Sequence, residues 1–141
     1  MKTSKLFISA IILLLLSCQN EEPCTSYQLD KVFDVNFQET ATFCERAVSI
    51  TFTKVTQDSR CPEDVVCIWQ GLAEVELLIE VNGSEEKYLL STFPTFQDVP
   101  SEVTFKGYIF KLEGVSPYPN TKVSHKEKDY SIQMLVEKTS E

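Results

Sequence analysis

A chain of 141 residues, 43% hydrophobic and 24% charged with a formal charge of −8, holds one domain with enough apolar material for a core. Four glycines leave no room for a Gly-rich nucleotide-binding architecture, and a single histidine argues against a His-based metal centre. The acidic balance disfavours nucleic acid as a partner, because that binding runs on basic surface.

The N-terminus reads as an address. Lys2 and Lys5 precede an apolar run from Leu6 to Leu16, interrupted only by Ser9. This basic-then-apolar order fits a signal peptide, and the run falls short of the roughly 20 residues a membrane span needs. Leu15-Leu16-Ser17-Cys18 resembles the lipobox of bacterial lipoproteins. The resemblance implies cleavage before Cys18 and attachment of acyl chains such as palmitate, a membrane anchor, to that cysteine. Loss of residues 1–17 removes Lys2 and Lys5 and no acid, which takes the formal charge from −8 to −10. Gln19-Asn20-Glu21-Glu22 resembles a signal that sends lipoproteins to the outer face of the outer membrane. The expected organisation is a signal peptide at 1–17, a lipidated tether at 18–26 and one β-domain at 27–141.

Five cysteines are present, and assigning Cys18 to lipid leaves four: Cys24, Cys44, Cys61 and Cys67. An even number suits an oxidising compartment. Three pairings are open, of which Cys24–Cys44 with Cys61–Cys67 is favoured by its short loops. The Cys61/Cys67 spacing is a weak zinc signature, and it is not the C-x-x-C of redox proteins.

Beyond residue 18 the apolar pattern has period two. Tyr27, Leu29, Phe33, Val35 and Phe37 share one face; Val48, Ile50 and Phe52 share another. Trp69, Ala73, Val75, Leu77, Ile79 and Val81 oppose Gln70, Glu74, Glu76 and Glu80. Asn82-Gly83 is a strong hairpin signal leading into a strand over 85–91, and the turn explains Asn82-Gly83-Ser84 without invoking glycosylation. Strands are also expected over 105–115 and 130–137. The fold class is therefore all-β: an antiparallel β-sandwich of six to seven strands with an immunoglobulin-like outline, a closed barrel being the competing architecture.

The segment from Asp58 to Gly71, DSRCPEDVVCIWQG, resembles the D-S-R-C-P-x4-C-[IV]-W-x-G signature of a family of small bacterial secreted proteins and lipoproteins. Gly107-Tyr108, Val115-Ser116-Pro117-Tyr118-Pro119 and Asp129-Tyr130 resemble that family's closing pattern, so the likeness spans about Phe33 to Val136. It implies a β-rich envelope domain and no particular activity. Gln70 departs from the family's frequent alanine, and the Cys24/Cys44 pair is an addition.

Within this segment Pro62 fixes a turn after Cys61, and a Cys61–Cys67 bridge would close a compact loop. Trp69, two residues beyond Cys67, is expected on a strand, packed against the bridge at the sandwich core. Gly71 would allow close backbone approach, and Arg60 has Asp58, Asp64 or loop carbonyls as partners. One reading makes the loop a corner staple. The other makes it a recognition surface displaying Asp58, Arg60, Glu63, Asp64 and Trp69.

Equipment for catalysis is sparse. Asp58, Glu63 and Asp64 lack the spacing of a calcium loop, His125 sits among lysines and acids in a polar stretch, and no G-x-S-x-G, P-loop or H-E-x-x-H occurs. The expectation is a non-catalytic cell-envelope lipoprotein, with no cofactor and no metal, in a partner-binding or structural role. It would be held at the outer membrane by its lipid and would bind an envelope or protein partner, not nucleic acid. The alternative is a surface lipoprotein that binds a small ligand or metal.

Overall fold

The computed structural model describes residues 27–93 and 98–140. The expected signal peptide and tether, with Cys18 and Cys24, lie outside the described residues.

Among the described residues, eight strands form two four-stranded antiparallel sheets: β1 (Phe33–Asn36), β2 (Thr40–Phe43), β3 (Val48–Asp58), β4 (Ala73–Val81), β5 (Ser84–Ser91), β6 (Glu102–Phe105), β7 (Tyr108–Ser116) and β8 (Ser131–Lys138). The sheet orders are β1-β8-β7-β6 and β2-β3-β4-β5. Every paired strand is a sequence neighbour of its partner except β1, which lies beside β8, so the chain follows an up-and-down order around the two sheets. The two packed sheets share the immunoglobulin outline without its Greek-key crossings. The barrel fails to close at two seams, where β1 passes to β2 and β5 passes to β6 with no strand pairing between them.

The period-two pattern explains the core. Val48, Ile50 and Phe52 of β3 lie opposite Val81, Ile79 and Leu77 of β4, and all six are buried. Val35, Phe110, Leu112, Val115, Ile132, Met134 and Val136 complete the cluster from the second sheet. At roughly 25 cal/mol per Å² of apolar surface, each such side chain contributes about 2 kcal/mol.

The count of eight exceeds the expected six to seven because two short strands end in turns. Asn82 (φ 51°) and Gly83 (φ 77°) make the anticipated β4–β5 hairpin. Lys106 (φ 48°) and Gly107 (φ 86°) make a second one, which divides the run expected over 105–115 into β6 and β7. Gln38 (φ 61°) reverses the chain between β1 and β2.

The registers also fix which loops share an end. Asp58 lies opposite Ala73, Glu74 opposite Ser91 and Ser116 opposite Ser131, so the β3–β4, β5–β6 and β7–β8 connections emerge together. At the opposite end Phe43 lies opposite Val48, and Tyr108 opposite Lys138. Tyr27 enters at that opposite end, its N–H donating to the Thr42 carbonyl and its ring 4.7 Å from Phe33.

Candidate functional site

The sequence signature occupies the β3–β4 connection, and the end of β3 determines how it leaves the sheet. Register shifts fall between Phe52 and Lys54 and again between Val55 and Gln57. Each bulge reverses the alternation, so the inward positions run Phe52, Val55, Asp58 instead of continuing through Lys54 and Thr56. The two reversals cancel by Asp58, which lies opposite buried Ala73, turned toward the interior, contrary to its expected display on the surface.

There it meets Arg60. Nε donates to Asp58 Oδ1 at 2.8 Å and Nη2 to Oδ2 at 2.7 Å. Arg60 also donates to the Val115 carbonyl and, at 2.8 Å, to that of Pro117, while Tyr118 covers the guanidinium with its ring centroid 4.7 Å away. Tyr130 donates its O–H to Asp58 Oδ2 at 3.0 Å. These groups come from both sheets, so the network staples the open end of the sandwich. Burial alone would raise the Asp58 pKa, but the hydrogen bonds and charge of Arg60, with the Tyr130 hydroxyl, outweigh it and hold the carboxyl below its ordinary value. Burial, reinforced by the Asp58 carboxylate, pushes the Tyr130 phenol up.

Beyond this staple the chain forms a narrow neck. Ser59 N–H bonds to the Leu72 carbonyl and Cys61 N–H to that of Gln70, both at 2.8 Å. Gly71 (φ 69°) is required here: a Cβ would lie 1.8 Å from the Ser59 carbonyl oxygen. The close backbone approach expected of this glycine is present.

The loop above the neck is closed by the Cys61–Cys67 disulfide. Glu63 and Asp64 bind the β7–β8 connection. Glu63 accepts from Asn120 Nδ2 at 3.0 Å, and its N–H donates to the Pro119 carbonyl. Asp64 accepts from both the N–H and the hydroxyl of Thr121, which together hold its pKa down.

With the charged groups so engaged, the loop presents apolar side chains. Val66 and Ile68 are fully exposed, and Val65 and Trp69 are about half exposed. Trp69 is therefore no core plug. β4 begins only at Ala73, and the turn at Gly71 breaks the alternation that would have carried the indole inward. Trp69 instead packs edge-on against Phe93, centroids 5.5 Å apart. Open space between them and the loop is lined by Cys61, Val65, Val66, Cys67 and Ile68.

Of the five expected recognition residues, Asp58 and Arg60 are turned inward, Glu63 and Asp64 are exposed and also brace the loop, and Trp69 is half exposed beside its tip. Val65, Val66 and Ile68 were missed, although an unalternated Val-Val-Cys-Ile-Trp run ending at a glycine is visible in the sequence. Cys44 is disulfide-bonded, and its expected partner Cys24 lies outside the described residues. Among the described residues no group of three or more His, Cys, Asp or Glu is placed to hold a metal ion. No family model, curated protein or solved structure matches the chain.

Proposed function

We propose that this chain is a non-catalytic lipoprotein of the bacterial cell envelope, acylated at Cys18, anchored to the outer membrane, and binding a partner with the loop-bearing end of its sandwich. The observation that carries this reading is the polarity of the domain. Tyr27, where the described chain begins, sits at one end beside Thr42 and Phe43, while the braced loop lies beyond Asp58 at the other. A lipid joined through residues 18–26 would hold the first end toward the bilayer and turn the second away from it. The lipobox-like Leu15-Leu16-Ser17-Cys18 and the likeness of the Asp58–Gly71 segment to envelope proteins support the same placement.

Metabolic labelling with an alkyne-bearing fatty acid, followed by membrane fractionation, tests the anchor. The full-length chain should carry label and sediment with the outer membrane. Cys18→Ser should lose both properties, since stable attachment depends on the acyl chains. A Cys18→Ser chain that keeps its label overturns the proposal.

A further inference from the structure

Resting on the anchored orientation proposed above, we infer that Val65, Val66 and Ile68 are the contact surface for a protein partner that takes them into an apolar pocket.

Single exposed apolar residues are ordinary on protein surfaces. Here Val65, Val66, Ile68 and Trp69 fall within five consecutive residues, two of them fully exposed, at the summit of one loop. The loop is also held. The Cys61–Cys67 bridge closes it, the Ser59/Leu72 and Cys61/Gln70 bonds form its neck, and Glu63 and Asp64 tie it to Pro119, Asn120 and Thr121. A side chain presented on a braced loop has little conformational freedom left to lose on binding, which favours a preformed contact.

The occupant follows from reach and charge. From Cys18 to Tyr27 the chain has nine residue steps, at most roughly 30 Å when extended. Tyr27 lies near the start of β3, whose eleven residues rise about 35 Å, and the tip stands beyond the far end of that strand. An upright domain therefore holds the tip away from the bilayer that anchors it. Residues 61–70 carry Glu63 and Asp64 and no cation, and the adjoining stretch 118–123 adds only Lys122. An apolar tip with acidic neighbours suits a protein pocket with a basic rim better than an anionic lipid surface.

The test places a benzophenone amino acid at position 66 or 68 of the full-length chain in the cell envelope, with position 85 on β5 as control. The expected result is one protein adduct of the same mass from 66 and 68 and none from 85. The captured protein, once purified, should bind the unlabelled wild-type chain and lose more than ten-fold in affinity for V66D/I68D. That variant should melt within a few degrees of wild type, because neither side chain contacts the core. Adducts to phospholipid alone, adducts to a second copy of this chain, equal capture at position 85, or unchanged affinity of the double variant would each overturn the inference. Failure of the anchor is read separately. A chain that is unlabelled by fatty acid yet gives the tip-specific adduct sinks the lipoprotein reading and leaves the protein contact standing.

Discussion

Asp58 and Arg60 face each other through two parallel hydrogen bonds, 2.8 and 2.7 Å long, with 10% and 5% of their side chains exposed. Two residues apart in sequence, they tie the end of β3 to the Val115 carbonyl in β7, to the Pro117 carbonyl just beyond it and, through Tyr130, to the start of β8. Removing one charge leaves the other desolvated. Asp58→Ala should therefore destabilise the domain by about 3 kcal/mol in urea denaturation, and the paired replacement Asp58→Leu/Arg60→Met should recover much of that loss. Equal effects for the single and double variants would show that the two charges are not coupled.

The same pair sets an acid limb. The folded-state pKa of Asp58 lies below its ordinary 3.8, so its contribution is fully present above that value and is lost as pH falls through the lower folded one. Stability measured from pH 5 down to pH 2 should fall for wild type, and more shallowly for Asp58→Asn. Parallel curves for the two proteins would remove Asp58 from the acid response.

Much of the sandwich is legible in the sequence because burial on one face enforces alternation. Val48, Ile50 and Phe52, and Ala73 through Val81, lie where period two puts them, and Asn82-Gly83 turns as its dipeptide requires. The failures have local physical causes. Lys106-Gly107 is a hairpin turn hidden inside an apolar run, and the two bulges of β3 turn Val55 inward in place of Lys54 and Thr56 without any glycine to mark them. Trp69 misleads because its period matches β4 while Gly71 intervenes. Of the loop's charged residues Glu63 and Asp64 are exposed as expected, while Asp58 and Arg60 are turned inward against each other and against partners more than fifty residues away. Pairing at that range has no signature in the local pattern.

Gly71 and Gly83 both have positive φ, but only one is crowded. Gly71→Ala would drive a methyl group into the Ser59 carbonyl and should cost about 3 kcal/mol or more. Gly83→Ala meets nothing within 4 Å and should cost about 1 kcal/mol, from backbone strain alone. Thermal melts of the two variants check this order, and a reversed order would contradict the neck as described.

The Cys61–Cys67 bridge spans a sequence separation of 6, for which chain entropy gives about 2 kcal/mol. The Cys61→Ser/Cys67→Ser variant should lose about that much stability and keep its far-ultraviolet strand signal, since the bridge lies outside the core. Loss of the fold would place the bridge among the elements that hold the two sheets together.

Trp69 is the chain's one tryptophan, and it stands beside the tip, so its fluorescence reports where that tip sits. The most direct measurement is quenching of Trp69 in the lipidated full-length chain, reconstituted into vesicles whose phospholipids carry brominated acyl chains. A domain that holds its braced loop away from the anchoring bilayer predicts no quenching beyond that in unbrominated vesicles. Strong quenching, with an emission shift to the blue, would put the tip in the membrane and contradict the placement proposed for this chain.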